Sequence, residues 1–235
     1  MAGALALVLW MAAATAMIAG PLSFPPREAL HWLPFVAGLG VALHLLRGRS
    51  GRAYGAGLML AGIGTARVLL ESRLQNAWSA VEGPLPVVGT GLLLGLQALF
   101  HDMLVRTGPA RQRAGLLCLI AGCASLALGL TGSIKLAMLG GSLALALAVV
   151  LALAWALPKL ELTQGAAPVA SLSLGTLLLV GVCYSDLPWE SAMLLGLAPR
   201  AALHTQGWKS LGVTLLMGGM AVAVAIWIGW NPSRN

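Results

Sequence analysis

The sequence predicts an all-α, polytopic integral membrane protein: one bundle of about nine transmembrane helices, with eight as the alternative count. Three observations carry that expectation. The first is the length of the apolar runs. Residues 136–156, LAMLGGSLALALAVVLALAWA, hold no charged side chain, and residues 210–230 hold none either. A hydrocarbon core of about 30 Å takes about 20 helical residues at 1.5 Å rise each. The second is charge: 9% of the residues are Asp, Glu, Lys or Arg, against the roughly 25% typical of soluble domains. The third is the placement of the 30 glycines, which fall inside the apolar runs, where they let helix backbones approach one another.

Taken in chain order, hydropathy places the spans at 2–20, 29–46, 53–70, 85–104, 114–130, 136–156, 168–184, 187–203 and 210–230. Helix breakers stand between them. Pro21, Pro25 and Pro26 follow the first span, Gly83 and Pro84 precede the fourth, and Asn231-Pro232 closes the last. The first run, MAGALALVLWMAAATAMIAG, has small residues near its end but no Lys or Arg ahead of it. A secretory signal carries such a basic region, so this segment is expected to be a retained span. No polar stretch is long enough to fold alone, so residues 1–235 are expected to form a single transmembrane domain with no soluble domain.

The spans differ in strength. The segment 187–203, LPWESAMLLGLAPRAAL, is short, contains Pro199, and ends on Arg200. If it lies in the interface the count falls to eight. Acidic Asp186 and Glu190 on one side and basic Arg200 and Lys209 on the other favour crossing. Residues 71–82, ESRLQNAWSAVE, bring Leu74, Trp78 and Val81 to one helical face, the pattern of a short interfacial helix.

Charge sets an orientation. With the N-terminus inside, Arg47, Arg49, Arg52, Arg106, Arg111, Arg113, Lys159, Arg200 and Lys209 face the cytoplasm, and Arg27, Arg67, Arg73, Lys135 and Arg234 face outward. Nine against five obeys the positive-inside bias, and the reverse topology inverts it. Tryptophans agree: Trp32, Trp78, Trp189, Trp227 and Trp230 mark the outer edge, Trp155 and Trp208 the inner, and Trp10 lies mid-span. The expected location is the cell membrane. The net charge of +7 is accounted for by these loop arginines, which attract anionic lipid headgroups at the inner face; nucleic acid is not an expected partner.

Few residues can carry chemistry. Arg67 lies about a turn inside the outer end of its span, with Glu71 four residues on along the same helical face. Ionisable groups at membrane depth either pair and snorkel or mark a functional path. Arg67, Glu71, His31 and Asp186 are therefore the candidate functional residues, drawn from an outer polar set that also holds Arg27, Glu28, Arg73, Glu82 and Glu190. His44, His101 and His204, with Asp102, fall near inner span ends, but no two of these histidines share a helix at ligand spacing. No metal site or cofactor is expected. Cys118, Cys123 and Cys183 give no disulfide framework and act as small apolar side chains. GLLLG at 91–95 is a GxxxG pattern, and Gly38/Ala42, Gly57/Ala61, Gly140/Ala144 and Gly219/Ala223 are small-xxx-small pairs; these suit packing between spans or self-association into a homo- or hetero-oligomer.

Nucleotide-binding, zinc-protease, redox and serine-hydrolase motifs are all absent from the sequence. No acid sits mid-span, as coupled transporters usually require. The expectation for function is a non-catalytic membrane component or accessory subunit. A small-solute permease or channel is the alternative, and an interfacial lipid-modifying enzyme using the outer polar residues is the third reading.

Overall fold

The computed structural model describes residues 2–22, 24, 26, 28–46, 51–71, 84–106, 110–156, 162–203 and 208–229. Among them the chain forms nine α-helices and one 3-10 turn, with no strand. The helices are α1 (Ala2–Ala19), α2 (Leu33–Leu46), α3 (Gly51–Leu69), α4 (Pro84–Arg106), α5 (Ala110–Leu130), α6 (Ile134–Ala156), α7 (Leu162–Tyr184), α8 (Trp189–Leu203) and α9 (Trp208–Gly229), and the 3-10 turn Ala29–Trp32 leads into α2. Each helix falls on one of the apolar runs. Five contain segments long and apolar enough to cross a membrane: Ala2–Ala19, Pro84–Leu104, Ile134–Leu153, Ala166–Tyr184 and Leu211–Ile228. The expected interfacial helix at 71–82 lies outside the described residues beyond Glu71, as do Trp78, Trp230 and His204.

The bundle is organised around α7. Every residue from 166 to 181 is buried, and α7 packs against α1, α2, α4, α5 and α6. Its composition explains the position. Ala166, Ala167, Ala170, Gly175 and Gly181 leave room for neighbouring backbones, while the polar Ser171, Ser173 and Thr176 are kept away from lipid. Against α2 the approach is to backbone: a Cβ on Gly40 would stand 2.8 Å from Val169 Cα.

Small residues govern the other tight crossings. In α3 and α4, Gly62, Gly91 and Gly95 interlock: a Cβ on Gly62 would stand 2.7 Å from Gly95 N, and one on Gly91 would stand 2.7 Å from Ile63 N. The GLLLG pattern is thus occupied within the chain. In the α5–α6 hairpin, Gly140 meets Ser125 Cα at a would-be Cβ distance of 3.1 Å, and Ser125 Oγ donates to Ala137 O across 2.7 Å. Gly132 turns that hairpin at φ +86°, a conformation glycine adopts without steric cost. Gly38 and Gly219 meet nothing within 4 Å, so two of the small-xxx-small pairs lie on open faces.

The weakest span of the hydropathy reading is packed along the bundle. Helix α8 continues through Pro199 and buries Ser191, Leu195, Ala198 and Ala202 along one face. Ser191 Oγ donates to Ala221 O on α9 across 2.8 Å, and at the other end Ala202 clusters with Leu104, Leu116 and the part-buried Leu211. From Ala221 to Leu211 the two helices run antiparallel in contact, so α8 lies alongside α9 rather than across a bundle end. On the outside, Leu215, Leu216, Met220, Ile226 and Trp227 of α9 are exposed, as are Leu145, Val149 and Trp155 of α6.

Candidate functional site: a groove between α4, α7 and α8

Helices α4 and α8 diverge over the face of α7 and leave a cavity of about 370 Å³ between them, near the lower end of the usual range for ligand pockets. Its back wall is α7, through Gly175, Leu178 and Leu179; Leu93 of α4 and Leu197 of α8 flank its opening and are themselves exposed. The cavity therefore opens sideways, toward the medium around the bundle. Pro86 and Trp189 border its upper end and Phe100 its lower end. From Pro86 to Phe100 the wall of α4 is about 21 Å long at 1.5 Å per residue, more than half of a hydrocarbon core of about 30 Å.

The sequence makes this groove in two ways. Helical spacing of Thr90, Leu93, Leu94, Gln97 and Phe100 puts them on one stripe of α4. Opposite that stripe, Gly175 and Gly196 carry no side chain to fill the gap. A Cβ on Gly175 would meet Gln97 Oε1 at 3.2 Å, and one on Gly196 would meet it at 3.6 Å. The Gln97 amide is thus seated between two glycines from two different helices.

Among the described residues, no charged side chain lines the groove. Of its polar groups, the Thr90 hydroxyl is committed, donating to Pro86 O across 2.6 Å. Gln97 is not. It is 9% exposed, and its Nε2 has no hydrogen-bond partner among the described residues. One turn further along α4, the fully buried His101 donates from Nδ1 to Gln97 O across 2.9 Å; because a carbonyl oxygen only accepts, Nδ1 carries the proton. Its Nε2 has no partner among the described residues. Asp102 is 1% exposed beside it. Arg200, exposed on α8, places its guanidinium carbon 5.4 Å from the Phe100 ring centre at the lower end of the groove, a cation–π distance.

The residues singled out from sequence lie elsewhere. Arg67 and Glu71 are exposed at the end of α3. His31 is buried in the 3-10 turn, with Nε2 3.4 Å from Ala19 O. Asp186 is exposed in the α7–α8 connection, at φ +51°. None of the four lines the groove. A second hollow, of about 390 Å³, lies between the 3-10 turn and the start of α6, and Glu28, Lys135 and Tyr184 line it. Its tyrosine hydroxyl is engaged, donating to Leu69 O across 2.8 Å, and both charged residues are exposed. Among the described residues no three His, Cys, Asp or Glu side chains gather at metal-ligand spacing. Gln97 is visible in the sequence only as a polar residue in an apolar run, and nothing in its spacing distinguishes it from Thr90 or Ser125; His101 stands out there only beside Asp102, near the inner end of its span.

No family model, no curated protein and no solved structure matches this chain.

Proposed function

We propose that the protein is a non-catalytic component of the cell membrane that holds an apolar-chain molecule in the groove between α4, α7 and α8. The observation that carries this reading is the lining of the groove: among the described residues it is largely apolar along about 21 Å of helix and holds no charged side chain. An apolar molecule entering from the bilayer exchanges one hydrocarbon environment for another, so fit and the few polar contacts decide affinity. The reading includes nine crossings with the N-terminus in the cytoplasm, supported by the antiparallel run of α8 along α9 and by the nine-to-five distribution of basic residues. Anionic headgroups at the inner basic loops are the proposed lipid partners.

Purification in a mild detergent, followed by organic extraction and mass spectrometry, tests it. A stoichiometric apolar molecule is expected in the wild-type extract and not in that of Ala192→Trp, which fills the groove from α8. Identical extracts from the two proteins would remove the reading. Orientation is tested separately by cysteine accessibility: a cysteine at position 186 should be labelled from outside intact cells, and one at position 209 only after permeabilisation.

One observation favours a second reading, a small-solute permease. The hydroxyls of Ser173 and Thr176, at the centre of the bundle, have no hydrogen-bond partner among the described residues, and buried groups of that kind often hold water. Solute flux into proteoliposomes, abolished by Thr176→Val, would support this reading over the first.

A further inference from the structure

We infer that the groove selects a neutral lipid carrying an uncharged carbonyl on its apolar chain, and that the Gln97 amide is the donor that recognises it. The inference rests on the groove being a binding site, as proposed above, and adds the chemistry of the ligand's head.

Four observations carry it. Among the described residues the lining contains no charged side chain, and the Arg200 guanidinium is placed against Phe100 at the lower end, so a charged head at the level of Gln97 would be desolvated without compensation. The Thr90 hydroxyl is already used within its own helix. Gln97, more than nine-tenths buried, keeps an Nε2 with no acceptor among the described residues. A buried donor left unpaired destabilises the free protein, and an acceptor supplied by a ligand relieves that penalty. Finally, Gln97 Oε1 stands against Gly175 and Gly196, at would-be Cβ distances of 3.2 and 3.6 Å; a half-turn of the amide exchanges oxygen and nitrogen within nearly the same volume and brings the buried Nε2 to the side of the two glycines.

Depth narrows the class further. Gln97 is eleven residues along α4 from Pro86, about 17 Å at helical rise, and therefore within the hydrocarbon zone rather than at the upper headgroup layer. A head that sits at that depth must be uncharged and small. Two kinds of lipid share the chemistry: a quinone ring on an isoprenoid tail, and a glycerol ester on acyl chains. Each offers a carbonyl oxygen to Nε2 and an apolar chain to Leu93, Leu178 and Leu197.

The experiment uses the full chain in lipid nanodiscs, with three radiolabelled probes: a decyl-substituted 1,4-benzoquinone, 1,2-dioleoylglycerol, and hexadecane as a chain without a head. Wild type should bind at least one carbonyl probe about tenfold more tightly than Gln97→Leu does, the ratio expected for one hydrogen bond to a buried donor. Hexadecane should bind both proteins equally, which also reports that the variant is folded; Gln97→Met serves as the second isostere. Preference for the quinone or for the glycerol ester identifies the source of the carbonyl. Equal affinity of wild type and both variants for both carbonyl probes overturns the head-group inference while leaving the groove intact. If Ala192→Trp leaves the binding of all three probes unchanged, the groove reading itself fails.

Discussion

Gly95 on α4 passes so close to Met59 on α3 that a Cβ on the glycine would stand 2.7 Å from the methionine Cα. The obstacle is backbone, which cannot rotate away as the end of a side chain can. With Gly62 and Gly91 in the same seam, α3 and α4 meet over little more than one turn at a separation that only hydrogen side chains permit.

Gly95→Leu is therefore expected to force the two helices apart and to cost about 2–3 kcal/mol, the upper part of the range for overpacked sites. Gly219→Leu on α9 is the matched control: nothing stands within 4 Å of its would-be Cβ, and its stability should stay within about 0.5 kcal/mol of wild type. Thermal unfolding in detergent compares them. Equal losses at both sites would mean that glycine content, rather than the α3–α4 contact, is what the fold requires.

A smaller effect is expected at Ser191. Its hydroxyl bonds Ala221 O across 2.8 Å and is fully buried. Interhelical hydrogen bonds of this type contribute about 0.6 kcal/mol on average in membrane proteins. Ser191→Ala should lower stability by roughly that amount, because the Ala221 carbonyl keeps its place in the α9 ladder. Ser191→Leu should cost several times more, by pushing α8 from α9. Chemical denaturation in mixed micelles can separate the two variants, and a ratio near one would argue against close α8–α9 packing.

How much of this was legible beforehand differs by level. The positions of the helices were, because a run of apolar residues in a chain with few charges has one common cause. Their arrangement was not. Helices α6 and α9 carry the two most hydrophobic spans and stand partly on the outside, whereas α7, with its serines, threonine and glycines, is the buried centre. Hydropathy does not rank burial when the surrounding medium is as apolar as leucine; small and weakly polar residues mark the interior instead. The GLLLG motif announced a close crossing, but nothing in the sequence paired it with Gly62. Charge drew attention to Arg67 and Glu71, while the groove is built from an amide, two glycines and apolar walls, which read as ordinary span residues until α4, α7 and α8 are brought together.

His101 provides a test of the polar interior. It is fully buried, gives its Nδ1 proton to Gln97 O, and leaves Nε2 unmatched among the described residues. Replacing it with leucine removes an unsatisfied acceptor and keeps an apolar side chain in the site. The expected result for His101→Leu is unchanged or slightly raised stability, by up to about 1 kcal/mol. A loss of more than about 2 kcal/mol in a detergent melt would instead show that the imidazole is held in a hydrogen-bonded network with water, and would strengthen the permease reading.

At Arg67, two physical accounts predict different outcomes for one substitution. An arginine facing the bundle interior would hold a buried acid, and its removal would strand that charge at a cost of about 3–5 kcal/mol. An arginine on the outside of a helix end contributes little, since water and headgroups solvate it in either case. Arg67 is exposed, two residues before Leu69 closes α3, and Glu71 just beyond it is exposed as well. The buried neighbours on that part of α3 are Thr65, Ala66 and Leu69, which face the other way. Arg67→Leu should accordingly insert, fold and melt within about 0.5 kcal/mol of wild type, with Arg67→Lys indistinguishable from it. A drop of several degrees for the leucine variant that lysine rescues would place the guanidinium in contact with an acid inside the bundle and would overturn the exposed position.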